Sequence, residues 1–477
     1  MKGRSTCSDI PARLDRLPWS AWHWRVVVAL GIAWVLDGLE VTLVGSVGAM
    51  LERPDTLGLS AVQVGWTASL YLGGAVAGAL AFGRLADRFG RKRLFLVTLA
   101  VYLVATVATA LSFDFTTFAA CRLLTGVGIG GEYAAINSAI DELIPARVRG
   151  RVSLAINGSF WVGAALGAAV SLPLLDLQHF PPDTGWRIAF ASGALLATAV
   201  LLVRRHVPES PRWLMTHGRA PDAEREVAAI EREIAARGGI VPAHEGRLDV
   251  LVKPLPTLRE VVRILLQRYR ARTLYVAALM ASQAFFYNAI FFTYALVLTR
   301  FHGVPEGQVG RYVLPFAAAN FAGPLLLGPL FDRVGRRRMV CATYALSGVG
   351  LLLTGFGFMQ GWLDAVTQTL CWSAVFFLAS AAASSAYLAA SESFPLEIRA
   401  LAISAFYAAG TGIGGFAAPA LLGALIETGS RAAVFAGYAV GAMLVIVAAG
   451  IAWRFGVDAE RRPLEEIAPP LSSVAGD

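Results

Sequence analysis

Charge is the scarcest property of this chain. Only 16% of its 477 residues are Asp, Glu, Lys or Arg and 56% are hydrophobic, whereas soluble domains carry about 25% charge. Water-facing cores could not absorb that apolar excess, so the sequence reads as a polytopic membrane protein. Cysteine is equally sparse. Cys7, Cys121, Cys341 and Cys371 form no CxxC and have no histidine close by, which excludes a disulfide framework and a zinc site. The six histidines, His23, His179, His206, His217, His244 and His302, all fall at span ends or in loops. The spans hold no Ser/His/Asp set, phosphate loop or metal-ligand spacing. The expectation is therefore a protein that is not an enzyme and uses neither a cofactor nor a metal.

What the chain has instead is long apolar runs. A bilayer core needs about 20 apolar residues per helix. Twelve such spans are predicted, at 24–50, 61–83, 94–112, 117–143, 152–175, 187–204, 272–299, 309–331, 339–359, 363–391, 401–425 and 431–454. Residues 1–23 and 455–477 are terminal segments. The only long polar stretch is 205–271, in which Val227, Ile230 and Ile234 recur at helical spacing opposite Glu/Arg pairs. Lys and Arg accumulate in cytoplasmic loops. With the N-terminus inside, 35 of the 41 cations lie on that side, five on the other, and Arg122 is within a span. Both termini are thus expected in the cytoplasm. The net charge of +8 is explained by topology, and no nucleic-acid partner is expected.

The run Gly83-Arg84-Leu85-Ala86-Asp87-Arg88-Phe89-Gly90-Arg91-Lys92-Arg93 recurs 245 residues later as Gly328-Pro329-Leu330-Phe331-Asp332-Arg333-Val334-Gly335-Arg336-Arg337-Arg338. The Glu142/Arg149 spacing recurs as Glu392/Arg399, 250 residues on. Residues 24–204 and 272–454 are therefore read as duplicated six-helix bundles, an arrangement that places a substrate near the midplane between the repeats. The two loops closely resemble the signature of the major facilitator superfamily. The run Pro208-Glu209-Ser210-Pro211-Arg212-Trp213-Leu214, with the Glu/Arg spacing, resembles the sugar-porter and metabolite:proton-symporter branch. Two segments depart from typical sugar porters: Gln283-Ala284-Phe285-Phe286-Tyr287-Asn288 in the seventh span, and Asp458-Ala459-Glu460-Arg461-Arg462 after the twelfth.

The resemblance implies an all-α membrane fold of two pseudo-symmetric six-helix bundles with short cytoplasmic helices. It also implies a cytoplasmic charge latch built from Gly83, Asp87, Arg88, Arg91, Glu142, Arg149, Asp332, Arg333, Arg336, Glu392 and Arg399. Asp87 and Asp332 are the most telling members, because an acid amid basic residues needs a partner.

Buried charge costs about 2.5–3.5 kcal/mol at a helix centre, so the few ionisable residues inside the spans are informative. Asp37 and Glu40 share one face of the first span, and Arg122 and Glu132 lie on the fourth. A Glu40–Arg122 or an Asp37–Arg122 pair is geometrically reasonable. Either could hold a carboxylate ionised until substrate or motion separates the two, which is the logic of proton coupling. The family resemblance assigns that role to Glu40 and Arg122, and Asp37 with Glu40 is similar to the Asp-Gly-x-Asp pattern of aromatic-acid symporters. At an offset of 250, Arg122 maps to Trp372 and Glu132 to Ala382, which leaves the second half for substrate. The substrate candidates there are Gln283, Tyr287, Asn288 and Asn320, with Trp161 and Tyr387 as ring-stacking partners.

The expected activity is proton-coupled import of a small polar organic metabolite, an organic or aromatic acid or a sugar, by a monomer in the plasma (bacterial inner) membrane. The alternative is a proton-driven efflux antiporter for drugs or organic cations.

Overall fold

The computed structural model describes residues 5–176, 178–204, 208–242, 248–251, 256–291, 293–305 and 308–471. A short helix α1 (Ile10–Arg16) precedes the first half. That half comprises α2 (Ala21–Leu51), α3 (Ala61–Phe89), α4 (Arg91–Ala110), α5 (Phe115–Leu143), α6 (Arg149–Gly158) with α7 (Phe160–Leu174), and α8 (Pro182–Arg204). Between the halves lie α9 (Pro211–Thr216), α10 (Ala220–Ala236) and α11 (Leu258–Arg263). The second half comprises α12 (Arg270–Phe291) with α13 (Tyr294–His302), α14 (Val309–Arg333), α15 (Arg336–Met359), α16 (Ala365–Ser393), α17 (Arg399–Gly410) with α18 (Phe416–Glu427), and α19 (Arg431–Phe455). A final turn, α20 (Leu464–Ile467), follows. The fold is all-helical apart from one short antiparallel ribbon, β1 (Ser5–Ser8) with β2 (Leu248–Leu251), which joins the N-terminal segment to the linker.

Ten of the described helices are long and apolar enough to cross a membrane. The sixth span, α8, and the fourth, α5, are not among them. Helix α5 is glycine-rich, carries Arg122, Glu132, Asn137, Asp141 and Glu142, and is buried over most of its C-terminal two-thirds. A helix surrounded by other helices needs no lipid-facing apolarity.

Glycines set the closest crossings. Gly74 and Gly78 of α3 face the backbone of Leu123 and Val127, and Gly126 and Gly130 of α5 face the backbone of Tyr71 and Ala75. A Cβ at any of the four would run into the opposing main chain, so this is the backbone-to-backbone packing that GxxxG spacing permits.

Three spans are interrupted. The fifth breaks at Ser159, whose Oγ donates to Ile156 O (2.6 Å) and Gly31 O (2.9 Å). The seventh breaks between α12 and α13. The eleventh passes through a π-helical segment, Thr411–Gly415, within its glycine run. π-Segments inside helices mark functional positions more often than chance.

Between the halves, Gly158 lies against Pro324 and Gly328 against Arg151, along the contact of the fifth span with α14. Gly83 of α3 lies against Ser404 of α17. Both contacts converge on the end of the molecule where the basic loops gather, called here the basic end.

Candidate functional site

At the centre, α2 presents Asp37 and Glu40 to different partners. Asp37 is 3% exposed and is held by two phenols. Tyr71 OH donates to Oδ1 at 2.8 Å, and Tyr133 OH donates to Oδ2. Glu40 pairs with Arg122 Nη1, and both side chains are fully buried. Tyr102 OH donates to the second oxygen of Glu40 at 3.2 Å. Of the two pairings the sequence allowed, Arg122 thus takes Glu40. Its guanidinium also lies over the rings of Tyr71 (4.8 Å) and Phe190 (5.7 Å), two cation–π contacts in a desolvated setting. Glu132 is buried beside Tyr133 on α5.

Tyr133 carries this site to the second half. Trp34 stacks on it at 4.7 Å, Tyr407 of α17 meets its edge at 4.6 Å, and Tyr387 of α16 packs on Trp34 at 5.4 Å. Four rings from both halves thereby close over Asp37 on the side toward the basic end.

The second-half candidates, with Trp161 of the first half, form a separate group. Trp161 of α7 packs against Tyr287 (6.1 Å), Phe291 (5.3 Å) and Phe316 (5.6 Å). Tyr287 OH donates to Asn320 Oδ1 at 2.9 Å. Asn288 donates to Ala284 O of its own helix at 2.6 Å. Gln283 lines a small hollow with Tyr287, Tyr344 and Ser347 inside the second half. Trp372, at the position equivalent to Arg122, is fully buried against Tyr294, so an aromatic ring fills the place of the charge.

The basic end is closed by acids that reach across the halves. Asp87, at the end of α3, accepts from Leu401 N–H of α17 at 3.1 Å. Asp332, at the end of α14, accepts from Gly150 N–H (3.0 Å) and Arg151 N–H (2.9 Å) of α6. Each carboxylate caps the first turn of a helix from the other half, where unpaired N–H groups and the helix dipole favour an anion. Beneath them, Arg91 binds Glu142 at 2.8 Å and Arg336 binds Glu392 at 3.0 Å within each half. Arg399 approaches Glu142 at 3.8 Å and Arg149 approaches Glu392 at 3.7 Å between halves.

Two expected members are absent from this closure. Arg88 and Arg333 are exposed, and the Arg88 guanidinium lies over Phe89 at 5.1 Å. Helical phase and helix boundaries explain the difference. Position 88 is turned about 100° from the buried Asp87 on α3, whereas Arg91 and Arg336 lie beyond the turns at Gly90 and Gly335 and begin α4 and α15 as buried residues.

Several contributors lie outside the predicted set of site residues. Glu209 accepts from Arg91 N–H at 2.9 Å and Glu460 from Arg336 N–H at 3.2 Å, so each caps the helix that follows a signature loop. Burial pushes the Glu209 carboxyl above its usual range, against the pull of Ser210 N–H and the Arg91 guanidinium. Glu460 stands 251 residues after Glu209, so the repeat offset was the signal that could have found it.

Asp15 of α1 is another such contributor. It accepts from Ala146 N–H (3.0 Å) and pairs with Arg212 (2.9 Å) and Arg149 (3.4 Å). Arg13 and Arg16 bind Glu231 of α10 at 2.7 and 2.6 Å. Burial raises the Glu231 carboxyl, but those two arginines outweigh it and hold the group below its usual range. The N-terminal segment is therefore strapped to α10 and to the latch.

The turn after α3 yields a stability prediction. Gly90 has φ 96°, and a Cβ there would press into the Glu209 carboxylate. Gly361 has φ 72° with open space around it. Gly361→Ala should cost only the backbone strain of about 1–3 kcal/mol, whereas Gly90→Ala should cost clearly more. The thermal midpoints of the two variants in detergent check this, and equal losses would remove the Glu209 cap from the account.

Residues 39–470 match the sugar (and other) transporter family. Over 415 residues the chain is 30% identical to the niacin transporter NiaP of Acinetobacter baylyi, covering 86% of this chain and 89% of that one. It is 27% identical over 422 residues to the gallate transporter of Pseudomonas putida, covering 88% of each. Its fold is similar to that of the major facilitator superfamily proton:xylose symporter XylE of Escherichia coli, with a TM-score of 0.76 at 19% identity, over 93% of this chain and 98% of that one.

Proposed function

The chain belongs to the sugar (and other) transporter family, and from that premise we propose that it imports a small polar organic metabolite together with protons by alternating access. It is a multi-pass membrane transporter of metabolites, not an enzyme. In this reading the basic end faces the cytoplasm of a bacterial inner membrane, because 35 of the 41 cations gather there. A single chain is the functional unit, and residues 24–204 and 272–454 are the two bodies that rock against each other.

One observation carries the coupling: a fully buried Glu40–Arg122 pair lies three residues along the helix from Asp37, whose tyrosine partner Tyr133 packs on rings of the other half. A buried carboxylate that alternately gains and loses a proton would change how the halves hold together. The two clusters offer rings from Trp34, Tyr133, Tyr387, Trp161 and Tyr287, which suit a flat substrate. Aromatic acids such as nicotinate and gallate are the first candidates and sugars the second. An acid anion entering beside Asp37 and Glu40 needs a proton to offset the added negative charge, so symport follows naturally from this chemistry.

The test is uptake of nicotinate, gallate and D-xylose into liposomes holding the purified protein. An inward proton gradient should raise the initial rate for at least one of them. Equal rates with and without the gradient would end the symport reading, and gradient-driven movement of an organic cation in the opposite direction would replace it with antiport.

A further inference from the structure

The two acids of α2 do not share a partner, yet one side chain touches both of their environments. Tyr71 of α3 donates its hydroxyl to Asp37 Oδ1 at 2.8 Å, and its ring face supports the Arg122 guanidinium at 4.8 Å. Arg122 in turn holds Glu40. We propose that Tyr71 is the positioning residue that transmits the protonation of Asp37 to the Arg122–Glu40 pair. This inference rests on the proton-coupled reading and names how its two acids communicate.

The argument is one of hydrogen-bond capacity. An ionised carboxylate accepts from two phenols, one on each oxygen, whereas a protonated carboxyl has one hydroxyl that donates. Once Asp37 is protonated, its hydroxyl donates to one of the two phenol oxygens, and that phenol turns its own hydrogen away without moving the ring. The exchange is assigned to Tyr71, because its ring, unlike that of Tyr133, also supports Arg122. A phenol that donates to a carboxylate has a more electron-rich ring than one that accepts from a carboxyl, so the exchange weakens the hold of the ring face on the guanidinium and changes how Arg122 sits against Glu40. The charged and titratable groups around Asp37 are Glu40 on its own helix, Tyr71 from α3, Arg122, Glu132 and Tyr133 from α5, Tyr387 from α16 and Tyr407 from α17. Among these, Tyr71 is the side chain with a hydrogen bond to Asp37 and a ring contact to Arg122.

Infrared difference spectroscopy of the protein in lipid, titrated with pH and without substrate, tests this directly. The carboxyl band lost in Asp37→Asn identifies Asp37, and the guanidinium bands lost in Arg122→Lys identify Arg122. In the native protein the Arg122 bands should change together with the Asp37 band. In Tyr71→Phe, which keeps the ring but has no hydroxyl, that co-variation should disappear, and it should also be absent in Tyr71→Leu. Full co-variation in Tyr71→Phe, or Arg122 bands that ignore Asp37 in the native protein, would overturn the proposal. Persistence in Tyr71→Leu would remove Tyr71 from the path altogether. No gradient or substrate enters the measurement, so its failure is distinct from a failure of symport, which the liposome assay reads.

Discussion

Glu40→Gln is expected to abolish accumulation of substrate against its gradient while leaving exchange of internal for external substrate in place. The amide keeps the size and one acceptor of the carboxylate but cannot take up or release a proton. Arg122, fully buried, loses its counter-charge. Removing one partner of a buried pair costs about 3–5 kcal/mol, so the variant should also melt several degrees lower. Exchange needs only the substrate-loaded protein to alternate, so the surviving activity separates coupling from folding. Counterflow in liposomes without a proton gradient provides the measurement. Unchanged accumulation in Glu40→Gln would remove Glu40 from coupling and leave Asp37 and Glu132 as the remaining acids. Arg122→Lys should also be impaired, because an ammonium cannot lie flat between Tyr71 and Phe190 as the guanidinium does.

The second large effect concerns the seal at the basic end. Asp87 and Asp332 each cap a helix of the opposite half, with three N–H donors between them. Hydrogen bonds to charged groups contribute about 1.5–3 kcal/mol each. Asp87→Ala with Asp332→Ala should therefore shift the balance toward forms open at that end by roughly a hundredfold or more. The two sites lie on different helix pairs, so their effects should be nearly additive. Spin labels at the exposed positions 88 of α3 and 333 of α14 would report a longer distance in the double variant. An unchanged distance distribution would mean that the Arg91–Glu142 and Arg336–Glu392 clusters hold the seal alone. Transport by the double variant should fall as well, since a carrier biased to one face cannot cycle.

Much of this arrangement could be read from the chain, and the reason differs from part to part. The spans and the repeat were legible because lipid imposes apolar runs and duplication leaves fixed offsets. Asp37, Glu40, Arg122 and Glu132 stood out because ionisable residues are scarce inside the spans. The choice of Glu40 over Asp37 as the partner of Arg122 was not legible from spacing, and only the family resemblance pointed to Glu40. It depends on the rotational phase of α2 against α5, and the two acids are only three residues apart. The phenols were hidden for the same reason. Tyr71, Tyr102 and Tyr133 come from three helices, and nothing in the spacing within one span shows which tyrosine will meet an acid on another. Arg88 and Arg333 looked equivalent to Arg91 and Arg336 as text, but they stand at the exposed ends of α3 and α14, whereas Arg91 and Arg336 begin the next helices and are buried. Asp15 lies in a terminal segment whose arginines were read as markers of sidedness. The acidic face of α10 is what gives that segment something to bind.

The caps of Asp87 and Asp332 have one more consequence. Their donors are main-chain N–H groups at residues 150, 151 and 401, which every amino acid except proline supplies. Alanine scanning of this end will find the acceptors and pass over the donors at 151 and 401, so those contacts will be half silent in a mutational map, whereas a Cβ at Gly150 would press on Asp332 and Arg336 and make that donor visible. The partners should also drift differently over time: the aspartates and Gly150 are held to one identity, while Arg151 and Leu401 can vary as far as this contact is concerned, provided the helix still begins in the same place. Replacing the amide at residue 401 by an ester, or Leu401 by proline, is the substitution that would make the silent half visible.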